Sequence, residues 1–180
     1  GFKTFLQSGI SGRTVQSFDY LCAPAVGQPN YCYLYLSKSE SFNHGNDPNQ
    51  QGDDELISEE IYTPEVHDYG NKHIFAYTKE TLSKNYLTGT KTKTILNFDD
   101  FVNGNPSWRK TTYLDPTNNE LASVHENYSN FVTAGSWCLN KPANVTITQK
   151  RLGQPDITNT NLNSWHTETG NLISSNNEEN

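Results

Sequence analysis

The chain contains no methionine, three arginines and no apolar run of the length a membrane-spanning helix requires. A helical span needs about 18–20 consecutive apolar residues, so no transmembrane helix is expected. Binding nucleic acid needs a basic stripe to meet the phosphates. With so few arginines and a net charge of -7, neither nucleic acid nor an anionic membrane surface is an expected partner. No glycine-rich loop leads into a lysine, so nucleotide hydrolysis is not indicated. No C-x-x-C or H-x-x-x-H pair is present, which disfavours zinc. No signal peptide is visible. Together with the missing methionine, a start at Gly1 reads as a mature or trimmed product and points to export.

Apolar content is low as well, at 33%, and the mean hydropathy is -0.77. Such polarity raises the question of disorder. Ten tyrosines, eight phenylalanines and three tryptophans answer it, because a solvated chain carries few aromatics. Tyrosine and tryptophan join an apolar body to a polar tip and suit half-buried positions. A thin core under amphipathic side chains is the expectation. The 180 residues suit one domain, large enough to fold without disulfides. Residues 1–158 read as one β-rich domain, and 159–180 as a polar terminal strand and tail.

Cys22 and Cys32 flank a turn punctuated by Pro24, Gly27 and Pro29, and this spacing can close a hairpin disulfide. Cys138 is a rival partner for either. Two glycosylation sequons, Asn127-Tyr128-Ser129 and Asn144-Val145-Thr146, would matter only in a eukaryotic secretory pathway.

Turn signals recur at short intervals, at Gly9 to Gly12, Gly27 to Pro29, Asn43 to Gly52, Gly70-Asn71, Asn103 to Pro106, Asp115-Pro116 and Gly153 to Pro155. Between them lie strand-like runs. Tyr31, Tyr33 and Tyr35 alternate with Cys32, Leu34 and Leu36, so both faces of that strand are apolar or aromatic. Further strands are expected over 14–22, 73–78, 90–98, 108–114 and 144–148. Three stretches read as helix. Thr117-x-x-Glu120 has the form of a capping box, followed by Leu121, Val124, Tyr128 and Phe131 at helical spacing. The competing reading is a strand with Val124 and Tyr128 on one face. Asp53 to Tyr62 and Thr78 to Leu87 are the other two. The expected fold is mainly β, an antiparallel sandwich or barrel-like domain with one or two short packed helices; α+β is the alternative.

Few constellations carry chemistry. Asp47 to Asp68 holds eight acids and no lysine or arginine. Its first half resembles a calcium loop, with Asp47, Asn49, Asp53 and Glu55 as ligands and Gly52 at the bend. Its twelfth position is Ser58 where a bidentate Glu belongs, so a solvated acidic loop is the plainer reading. His67 and His73 flank the Gly70 turn and could face each other across a hairpin. A nucleophilic Cys138 with His125 or His166 satisfies an inventory only. Gly9-Ile10-Ser11-Gly12 lacks the strand and helix of a nucleophile elbow. Adjacent acids such as Glu59-Glu60 and Asp99-Asp100 point to opposite faces of a strand and make poor acid–base pairs.

Aromatic and amide abundance is the strongest functional feature. Sugar recognition needs flat rings for the C–H face of a pyranose and polar groups for its hydroxyls. Protein-binding surfaces draw on the same residues. The expected function is non-catalytic extracellular recognition of a glycan or a protein receptor, centred on Trp108, Tyr113 and Trp137. The expected location is secreted, or the surface of a cell or particle. Alternatives are a small-ligand carrier lined with aromatics, a self-associating subunit of a fibre, pilus or coat, and a secreted hydrolase or toxin. No cofactor is expected beyond the calcium of the acidic loop.

Overall fold

The computed structural model describes residues 2–7, 12–23, 31–43, 54–70, 73–99, 104–131, 141–166 and 169–179. Eleven strands follow one another along the chain: β1 (Phe2–Gln7), β2 (Gly12–Ala23), β3 (Tyr31–Asn43), β4 (Glu55–Gly70), β5 (His73–Asn85), β6 (Thr90–Asn97), β7 (Trp108–Leu114), β8 (Glu120–Phe131), β9 (Pro142–Arg151), β10 (Ile157–Trp165) and β11 (Leu172–Glu179). They form one sheet in chain order. The fold is therefore mainly β and antiparallel. No helix occurs among the described residues, and none of them forms a helix long and apolar enough to cross a membrane.

The three expected helices are strands, each for an identifiable reason. The capping box is a turn. The Asp115 carboxylate accepts from both the backbone N–H and the hydroxyl of Thr117 at 2.8 Å. The Asn118 N–H donates to the Asp115 carbonyl at 3.1 Å, and Asn118 has φ 71°, a left-handed conformation that Asn tolerates. An Asx-turn thus takes the groups that a helix cap would use, and the chain reverses from β7 into β8.

In β4 a bulge breaks the strand alternation. Ser41 pairs with Ser58 but Phe42 pairs with Leu56, leaving Ile57 as the extra residue. The bulge brings Leu56 and Ile61 to one face although five positions separate them. A second bulge lies in β5, where Thr63 pairs with Glu80 and Pro64 with Thr78.

Two compact units divide the chain, one of Gly1–Lys93 with Leu114–Asn118, the other of Thr94–Tyr113 with Asn119–Asn180. In the first, β2 to β5 pair in sequence. In the second, β8 to β11 do the same. The acceptor and hydroxyl positions of the two sequons meet there, with Asn127 opposite Thr146 and Ser129 opposite Asn144. Among the described residues the buried apolar side chains are Val15 and Phe98; most other described side chains of the strands are half-buried or exposed.

Candidate ligand-binding site

Directly paired residues of an antiparallel sheet lie on one face, and residues two apart on a strand share it. In the first unit this builds two polar rows. Ser39, Glu60 and Ser83 stand side by side across β3, β4 and β5, and Ser41, Ser58 and Asn85 form the next row. With Thr90 and Thr92 of β6 they line a shallow concavity of about 250 Å³.

Glu60 stands on this face, and its carboxylate is held at both oxygens. The Tyr62 hydroxyl donates to Oε2 at 2.6 Å, and the Ser83 hydroxyl to Oε1 at 3.1 Å. Burial, and then the Glu60 charge and hydrogen bond, push the Tyr62 phenol up to about 12. Tyr62 therefore stays a donor at any physiological pH. At the end of the concavity the Asn85 side-chain oxygen accepts from the Leu87 and Thr88 N–H groups at 3.0 and 3.1 Å. That bond fixes the turn into β6.

The opposite face carries charge. Glu40, Glu59 and Lys84 form one row, and the buried Glu59 carboxylate lies 2.7 Å from both Lys38 Nζ and Lys84 Nζ. Lys38 also reaches Glu40 at 2.6 Å. Glu40 and Glu59 would repel across the strands; Lys38, set between them, offsets that. Burial pushes the Glu59 carboxyl up, but its two lysines outweigh burial and hold it below the ordinary range. Nearby, Arg13 pairs with the buried Asp54 at 2.7 Å and lies over the Phe42 ring.

Of the residues singled out from sequence for a glycan or for calcium, the described ones are Trp108, Tyr113 and Glu55. Trp108 sits half-buried in β7, edge-on to His125 with ring centroids 5.4 Å apart. Tyr113 is 45% exposed and, five residues along the same strand, points to the other face. Trp137 lies outside the described residues, as do Asp47, Asn49 and Asp53. Glu55 is exposed at the start of β4, opposite Asn43. Among the described residues no three His, Cys, Asp or Glu form a group that could hold a metal ion. The Cys22–Cys32 disulfide is formed; Cys138 lies outside the described residues. The hairpin at Gly70 forms, but His67 pairs with Phe75 and His73 with Gly70, so the two histidines are not opposite each other. His166 accepts from the Thr169 N–H at 3.3 Å in the turn before β11.

The concavity had a sequence signal in plain view. Ser37-Lys38-Ser39-Glu40-Ser41 and Thr90-Lys91-Thr92-Lys93-Thr94 alternate small hydroxyls with charges, which on a strand sorts hydroxyls to one face and ions to the other. Compared with protein-family models, curated proteins and solved structures, the chain matches none.

Proposed function

We propose that the protein recognises a carbohydrate without chemically changing it, through the hydroxyl-lined concavity of the first unit, as a secreted or surface-displayed domain. The observation that carries this reading is the Glu60 carboxylate, fixed between Tyr62 and Ser83 on a floor of serines and threonines. A carboxylate is an acceptor with several lone pairs and suits vicinal hydroxyls, while Ser and Thr both donate and accept. Tyr62 shares the Glu60 face and adds an aromatic body beside it.

Size narrows the ligand. A volume of about 250 Å³ is below the roughly 300–1,000 Å³ of clefts that take drug-sized molecules. It matches one sugar residue, or the tip of a longer glycan. The Cys22–Cys32 disulfide suits an oxidising compartment.

Screening on a glycan array, followed by calorimetric titration of the hits, tests the reading. Glu60→Gln should weaken binding about 10- to 100-fold, the range for losing hydrogen bonds to a charged group. Ser83→Leu should abolish it by filling the floor. Trp108→Ala should leave it unchanged. An array without hits, or hits indifferent to both Glu60→Gln and Ser83→Leu, sinks the proposal.

A further inference from the structure

The pairing of β3 with β4 ends at Lys38↔Ile61, and that of β1 with β2 at Phe2↔Phe18. Among the described residues, 19–23 of β2 and 31–36 of β3 therefore pair only with each other. They form a two-stranded ribbon that continues past the wider sheet and is joined by the Cys22–Cys32 disulfide. On one face Phe18 stands opposite Leu36 and Tyr20 opposite Leu34; on the other Leu21 is opposite Tyr33 and Asp19 opposite Tyr35. Tyr20 is 56% and Leu34 43% exposed.

The side of β3 that meets β4 up to Lys38 has no strand beside it along Tyr31–Ser37 among the described residues. Proteins blunt such edges with charges, prolines or short strands. Tyr31–Ser37 carries no charge and no proline. The last strand of the sheet, β11, ends instead on Asn176-Asn177-Glu178-Glu179, and the β2 side of the ribbon bears Asp19. A lipid bilayer does not suit the β3 edge, because unpaired backbone groups are not tolerated in hydrocarbon. A partner strand satisfies them.

We propose that this edge pairs with the same segment of a second copy of the chain, antiparallel, about a two-fold axis at Leu34. A two-fold contact requires the segment to complement itself, and this one does. Centred on Leu34, the register sets Leu34 against Leu34, Tyr33 against Tyr35 and Cys32 against Leu36 of the second copy. No charge meets a like charge. Each copy carries a net charge of -7, so screening by salt favours the dimer.

Analytical ultracentrifugation of the full chain across the micromolar range tests this. The expected result is a monomer–dimer equilibrium that tightens with added salt. Leu34→Lys places two ammonium groups face to face on the axis and should weaken the dimer at least tenfold, with the thermal midpoint of the dilute protein unchanged. Hydrogen exchange of the unsubstituted protein gives an independent readout, in which the amides of 31–37 should gain protection as concentration rises. A chain that stays monomeric, a dimer indifferent to Leu34→Lys, or protection of 31–37 that ignores concentration overturns the proposal.

Discussion

Glu59 shows how single residues hold a sheet with so thin a core. It is 6% exposed and bonded to two lysines. A buried carboxylate stripped of every cation is costly, about 3–5 kcal/mol for a broken buried pair. Lys38→Met or Lys84→Met alone leaves one partner and should cost clearly less than half of that. The double variant should cost more than the sum of the two, which a double-mutant cycle in urea measures. The pH response follows from the direction of the shift. The Glu59 carboxyl titrates below its ordinary value of 4.5 in the folded state. Its contribution is therefore complete above 4.5 and fades as pH falls through the lower folded value. Glu65 adds to the same limb, held down by hydrogen bonds from Lys79 and Tyr77. Lys38 is shifted the other way, raised by Glu40 and Glu59, so its contribution is lost only as pH rises past the ordinary lysine range. Thermal midpoints against pH should fall on the acid side, and Glu59→Gln should flatten that limb. An acid limb unchanged in Glu59→Gln would refute the assignment.

At the scale of elements, legibility depended on whether alternation ran unbroken. Tyr31–Leu36 and Asn144–Thr148 read as strands because no bulge interrupts their period. Glu55–Tyr62 did not, because the extra residue at Ile57 breaks its alternation, and Thr78–Asn85 did not, because a four-residue separation such as Leu82 to Tyr86 shares a face on a strand as on a helix. Thr117 misled differently, since an Asx-turn and a helix cap draw on the same residue types. The candidate site rests on periodic hydroxyls rather than on aromatics: Trp108 and Tyr113 fall on opposite faces of β7, whereas Ser39, Glu60 and Ser83, distant in sequence, are brought together by the register of β3, β4 and β5. The disulfide was legible from spacing, and its mechanical role follows from where β3 leaves β4. An isolated two-stranded ribbon is marginal in water. Closing a loop of this length stabilises by about 2–3 kcal/mol at most. Reduction should therefore raise hydrogen exchange at residues 19–23 and 31–36, while 38–43, paired on both sides, keep their protection. Uniform loss of protection through β3 would mean that the ribbon is not a separate element.

For the whole molecule, the decisive quantity is how little apolar surface its described residues take out of water on folding. Among the described residues the buried apolar side chains are Val15 and Phe98, while Leu87, Leu152, Ile157 and Ile173 are each more than half exposed. Among the described residues, what stands in place of a deep core is backbone pairing, of β1 to β5 in the first unit and of β8 to β11 in the second, reinforced by hydroxyl pairs such as Thr146 with Thr160 and Thr148 with Thr158, each at 3.2 Å. Burying apolar groups gives unfolding its large positive heat-capacity change, whereas burying polar ones subtracts from it. A chain of 180 residues with an ordinary core would show about 2.2–2.7 kcal/mol/K. This protein should fall clearly below that range, with a correspondingly flat stability curve. Differential scanning calorimetry over a pH series, at concentrations dilute enough to exclude dimer, gives the value from the slope of enthalpy against midpoint temperature. A heat-capacity change inside the ordinary range would show that a conventional core exists, and that the polar ladder is not what holds the sheet together.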